Sequence, residues 1–322
     1  STAGYLKELS LKEFKGTFDG NNKTLSNLNI DQSFNGDIGF FGRAIGATIS
    51  NLTFDTPILK GYYNVGTLAG YADKTNVDNV DVTNLAITGD SNLPSGKMGG
   101  LIGYNKVSSG SGYTLQNSQV SGTINGFGLY VAGLVGSNEQ VAISNSSANV
   151  AVTSTTGDYV GGLVGYNYGA NITNSSAIGN VTATGRSYVG GLIGYNIGIS
   201  GIGALISGSY ATGKVIGAST VGGLIGYNTT YSTINGSYAT GDVEATGNNT
   251  GGLVGENFNS KIGYTTENYA TGNVTGASYV GGLIGKNSYS TVTSYTGSKI
   301  SGNITISGGT VSGVSYVGGL IG

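Results

Sequence analysis

Apolar residues along this chain fall in short runs with period-two spacing, and Gly, Asn or Thr-Gly interrupts them every four to seven residues. No stretch carries the 3.6-residue periodicity of an amphipathic helix. Short β-branched runs punctuated by Gly and Asn predict strands and turns. Segments 172–181, 206–215 and 234–243 follow one template, an isoleucine, then Ser/Asn-rich turn residues, an alanine and a valine. A second template, Val-Gly-Gly-Leu-Ile-Gly-Tyr-Asn, starts at Val160, Val189, Val221 and Val280. Degenerate copies start at Asp37, Val65, Met98, Val131 and Thr250, and a truncated one at Val317. The last glycine of each block falls at Gly42, Gly70, Gly103, Gly136, Gly165, Gly194, Gly226, Gly255, Gly285 and Gly322. Most of these intervals lie between 28 and 33 residues.

A unit of about 29 residues cannot bury its apolar face alone, whereas stacked copies can. The pattern therefore predicts an all-β fold, a right-handed parallel β-helix (β-solenoid) of about ten coils with three short strands per coil. At about 4.8 Å per coil the rod would be about 50 Å long. Two prolines in 322 residues agree with this, because proline removes ladder donors from interior strands. Residues 1–60, which are more charged, are read as lead-in or cap coils and residues 61–322 as the continuous repeat of the same solenoid, with no linker or composition shift elsewhere. The chain opens on Ser1 and stops inside a block at Gly322. Read alone, this predicts a piece of a longer protein, or coils that assemble end to end.

Composition then narrows the chemistry. There are 61 glycines, 22 tyrosines and 32 asparagines, but no His, Cys or Trp. A Ser-His-Asp or Cys-His nucleophile pair is thereby excluded, as are disulfides and zinc sites built from His and Cys. Charged residues make up 9 % of the chain and the net charge is −2, which argues against a nucleic-acid partner. No run of eighteen apolar residues exists to span a membrane as a helix. None of the Gly-x-Gly runs opens a helix, so no phosphate loop and no cofactor site is expected. Asp73, Asp78, Asp81 and Asp90 crowd one repeat without recurring in other coils, and they are read as a solvated face. Eleven Asn-x-Ser/Thr sequons, among them Asn22, Asn51, Asn171, Asn180, Asn235 and Asn303, exceed chance only slightly.

Two columns of side chains stand out. Asn105, Asn138, Asn167, Asn196, Asn228, Asn257 and Asn287 each lie two positions after the marker glycine. Asparagine suits a tight corner, and its amide can donate and accept along a stack, so an internal ladder is expected. The other reading is an outward row of ligand-binding amides. On the opposite parity, Val160, Gly162 and Val164 lead to a tyrosine position filled at Tyr71, Tyr104, Tyr166, Tyr195 and Tyr227. An outward apolar and aromatic stripe of this kind is a candidate interaction surface, set against plain inter-coil stacking. Further tyrosines recur at Tyr159, Tyr188, Tyr279 and Tyr316, and at Tyr210, Tyr238 and Tyr269.

The Gly-Gly-Leu-Ile-Gly block, with Phe18-Asp19-Gly20-Asn21 and Ile49-Ser50-Asn51-Leu52, resembles the GLUG-motif repeat family. That resemblance implies part of a large microbial surface protein, such as an adhesin or the regions flanking some immunoglobulin-A-cleaving metallopeptidases. The peptidase activity does not carry over, because its His-Glu-x-x-His zinc motif needs histidine. The expected function is an extracellular structural or adhesive solenoid at the cell surface, partnered by copies of itself, surface glycans or host proteins. A carbohydrate-binding module is the alternative. A polysaccharide-degrading enzyme is disfavoured, since Arg43 and Arg186 sit in different coils without an acidic column beside them.

Overall fold

A computed structural model describes residues 13–32, 36–89, 96–263, 267–289 and 310–322. Among them there is no helix; every strand pair in the two sheets is parallel. One sheet has 30 strands and the other ten, and the ten-stranded sheet contributes one short strand to each successive coil. The molecule is therefore a parallel β-solenoid.

The coil that starts at Tyr159 shows how the repeat is spent. It runs Tyr159–Gly161, Val164–Tyr168, Ile172–Thr173, Ser176–Ala177 and Val181–Thr182, five short strands where three were expected. The extra breaks come from tight corners. At one of them Asn117, Asn145 and Asn174 adopt left-handed backbone (φ 51°, 48° and 48°), and Gly208 and Gly236 take over in the next two coils at φ 58°. Asn and Gly are the residues that reach this region at least cost.

Each strand sits in register with its counterparts above and below, so Val164 pairs with Val135 and Ile193, and Asn167 with Asn138 and Asn196. Leu68, Leu101, Leu134, Leu163, Leu192, Leu224, Leu253 and Leu283 form one fully buried column. The Val-Gly-Gly-Leu-Ile-Gly block is a sharp fold between the two sheets, and its glycines mark where backbones touch. A methyl group on Gly190 would collide with the Ile193 carbonyl, and one on Gly194 would lie 2.6 Å from the Val160 nitrogen. At Gly191 it would meet the Gly223 carbonyl and lie 2.9 Å from the Ala211 methyl on the opposite wall.

This fold corrects the reading of an outward apolar stripe. Val160 and Val164 are fully buried, because the chain bends at Gly162 and Leu163 and alternation does not run through the bend. Outward from this block only the tyrosine position remains.

At the amino-terminal end, Phe14–Ser26 pairs in parallel with Phe41–Asp55. Phe14 stacks on Phe41 at 4.5 Å, and Phe18, Phe40 and Phe54 pack edge-on around them. Five of the eight phenylalanines thus fill this end of the core.

Candidate interaction face and internal ladders

The asparagine column lies inside the solenoid. Each Nδ2 donates to Oδ1 of the next coil, from Asn105 to Asn138 (3.1 Å), Asn167 (3.0 Å), Asn196 (2.8 Å), Asn228 (2.8 Å), Asn257 (2.9 Å) and Asn287 (3.0 Å). Second amide hydrogens close the local corner, Asn138 onto the Val141 carbonyl (2.9 Å) and Asn167 onto the Ala170 carbonyl (2.8 Å). The ladder begins where asparagine gives way to Ala72 in the preceding coil, and there the buried Asn105 Oδ1 accepts no hydrogen bond. An outward row of ligand-binding amides is ruled out by this burial, and Asn228, a sequon asparagine, is closed to modification in the folded chain.

A second ladder escaped the sequence reading. Ser118, Ser146, Ser175, Ser209 and Ser237 are buried at successive coils. Each backbone N–H from Ser118 to Ser209 donates to the next serine's Oγ at 3.2 Å, while that Oγ donates to a carbonyl two residues back in its own coil. One hydroxyl thereby satisfies two backbone groups at a corner where strand pairing is interrupted.

Tyr71, Tyr104, Tyr166, Tyr195 and Tyr227 share one register position, with Ser137 interrupting after Tyr104. A neighbouring column from the ten-stranded sheet runs Lys97, Tyr130 and Tyr159 and continues at Tyr188. Tyr130, Tyr159 and Tyr188 stack at 5.1 and 5.4 Å. The two columns interlock edge to face, as in Tyr159 on Tyr166 (5.9 Å) and Tyr188 on Tyr195 (5.5 Å). The rings cover one another's faces, so edges and hydroxyls remain for contact. Burial raises the phenol pKa values of Tyr104, Tyr130, Tyr159 and Tyr166, and lifts Tyr195 to about 12.

Charge enters this face at its amino-terminal side. Lys97 Nζ lies 4.5 Å from the Tyr104 ring centre and 5.5 Å from those of Tyr63 and Tyr130, and burial depresses its pKa. Tyr104 donates to Glu139 Oε1 at 2.8 Å. Arg43 stands over Tyr71 at 4.5 Å, and its Nε is 3.8 Å from Asp37 Oδ2, an acidic neighbour that the sequence reading did not give it. No side chain marks Lys97, Tyr63, Tyr130 or Glu139 as a group in sequence; only coil register unites them.

The acids do not gather. Asp73, Asp78 and Asp81 each accept from a different residue of the next coil, Ser108 N–H, Asn117 Nδ2 and Gln119 N–H. Asp90 and Asn303 lie outside the described residues, among which no group of three acids forms a metal cluster.

With the coil geometry defined, comparison with known proteins is direct. The GLUG motif matches residues 156–182, 185–216 and 217–244, one coil each. These three coils are GLUG-motif repeats. These coils carry Asn167, Asn196 and Asn228 at the centre of the asparagine ladder, the last three serines of the serine ladder, and Tyr166, Tyr195 and Tyr227 of the tyrosine face, and the flanking coils continue their register. Over 96 residues the chain is 35 % identical to halomucin of Haloquadratum walsbyi (strain DSM 16790 / HBSQ001), a stretch that covers 30 % of this chain and 1 % of halomucin. The matched stretch is thus about a hundredth of that relative's length. No solved structure matches the chain significantly.

Proposed function

We propose that the chain is a rod segment of a microbial cell-surface protein, structural or adhesive in role, that presents a stiff repetitive face and associates with further copies of itself. The carrying observation is that the same side chain occupies the same register through up to seven consecutive coils, each bonded to the next. Repetition serves inter-coil cohesion, and the product of cohesion is length and stiffness. GLUG repeats and the likeness to a very long relative support this reading. Extracellular placement fits a chain without thiols, and catalysis has no part in it. Carbohydrate recognition through ring stacking is less favoured, because the tyrosine faces are taken up by neighbouring tyrosines.

The deciding experiment is antibody labelling of intact source cells, paired with sedimentation of the purified chain. Labelling without lysis and concentration-dependent rods or bundles are expected. Labelling only after lysis would overturn the surface placement, and dispersed monomers at every concentration would overturn self-association.

A further inference from the structure

A third tyrosine column lies on different strands from the candidate face. Tyr210, Tyr238 and Tyr269 occupy one strand position in three successive coils, paired Tyr210 with Tyr238 and Tyr238 with Tyr269. Their ring centres are 5.0 and 4.6 Å apart, and both pairs lie within 4° of parallel. The next residues, Ala211, Ala239 and Ala270, are buried against Gly191, Gly223 and Gly252 of the opposite wall. The strands under the rings therefore have little room to shift, and the rings are held together by the backbone.

Outside its tyrosines the chain offers an oxidant little competition, and among them Tyr279 and Tyr316 form one further pair within 4° of parallel, at 4.8 Å. The chain has no cysteine and no tryptophan, and its single methionine, Met98, is fully buried. Exposed sulfur is the usual first target of oxidation, and here there is none among the described residues. Tyr210, Tyr238 and Tyr269 are all partly exposed.

We infer that this column is a site of oxidative modification, at which a one-electron oxidant joins tyrosines of successive coils into dityrosine. Each of two phenols gives one electron and its hydroxyl proton to the oxidant, leaving phenoxyl radicals with spin density on the carbons ortho to oxygen. Two ortho carbons form a C–C bond, and the displaced ortho protons return to the two oxygens as the rings regain aromaticity. Each link therefore costs the chain two hydrogen atoms. With hydrogen peroxide and a haem peroxidase as oxidant, those hydrogens leave in two water molecules. Parallel stacking supplies the proximity, since the partner ring is in place when the first radical forms. Tyr238 belongs to both pairs and is the residue every link in the column must use. The staple is a covalent bond between coils in a chain that has no disulfide available. The inference needs only the fold and stands apart from the proposed surface role.

The test uses the full chain, dilute, with limiting hydrogen peroxide and peroxidase, in folded and urea-unfolded arms. Trypsin cuts after Arg186, Lys214, Lys261 and Lys286, which separates the three tyrosines into peptides 187–214, 215–261 and 262–286. Dityrosine fluorescence, an intact mass lighter by two hydrogens per link, and linked peptides sequenced to Tyr238 are expected in the folded arm. The Tyr238→Phe variant keeps the stack and loses these links, whereas Tyr195→Phe retains them. The inference is overturned if no link in the folded arm sequences to Tyr238 (links confined to Tyr195 and Tyr227 of the same two peptides included), if the unfolded arm yields the Tyr238 links equally, or if coupling occurs only between chains.

Discussion

Single residues in this protein matter chiefly through contacts repeated from coil to coil, which makes their substitution effects unequal in foreseeable ways. Asn196 accepts from Asn167 and donates to Asn228, so Asn196→Ala strands a buried amide oxygen and should cost about 1–3 kcal/mol in chemical denaturation. Asn105→Ala should cost clearly less, because it removes an oxygen that is already unpaired while exposing only one new one. Gly191→Ala drives a methyl into the Gly223 carbonyl of the next coil and against Ala211 across the narrow core, and should cost at least about 1–3 kcal/mol, the ordinary penalty of overpacking. Tyrosines of the candidate face respond to pH. Burial holds the Tyr195 phenol neutral up to about pH 12, while in the unfolded chain it ionises near 10. Its contribution is complete below about pH 10 and is lost as pH rises toward 12, because the unfolded state sheds its proton first. Stability against unfolding, followed by phenolate absorbance, should therefore fall steeply in that window, and less steeply in Tyr195→Phe.

At the scale of the element, the coil is the unit that can be added or removed. Val160, Val189 and Val221 occupy one register column, so excising residues 189–220 joins equivalent positions. The shortened chain should stay folded, with a denaturant m-value lower by about a tenth, in proportion to the coils lost. Excising half that length should leave the downstream coils unable to pair. The same fixed spacing is what made the parallel stack and the asparagine column legible from sequence alone. Where spacing was the wrong guide, the reading failed for identifiable reasons. Alternation carried across Gly162 and Leu163 placed Val164 outside, because nothing in period-two counting registers a bend. Turns at Asn145 and Asn174 split strands that looked continuous. Ser146 and Ser175 were hidden by the abundance of serine, which makes any one serine column look ordinary. The surroundings of Lys97 were out of reach, since Tyr63, Tyr104 and Tyr130 come from three coils and the grouping occurs once.

Over the whole molecule, cohesion is local and cumulative. Each coil touches its neighbours, the described ion pairs are few and partly exposed, and burial is spread along one continuous core. Stability should then grade along the rod. Hydrogen exchange is expected to be slowest in coils between Val131 and Asn257 and fastest in residues 13–32 and 310–322. Uniform protection from end to end would contradict nearest-neighbour cohesion.

The asparagine ladder also gives the rod an electrical direction. Backbone dipoles in a sheet largely cancel between alternating groups, but these six side-chain bonds all point the same way. Aligned amides polarise one another and add, as they do along a helix. The Asn105 end is accordingly the negative pole and the Asn287 end the positive one. Two such rods lying side by side are electrically favoured head to tail against one another, and rods placed end to end are favoured with one pole meeting the other.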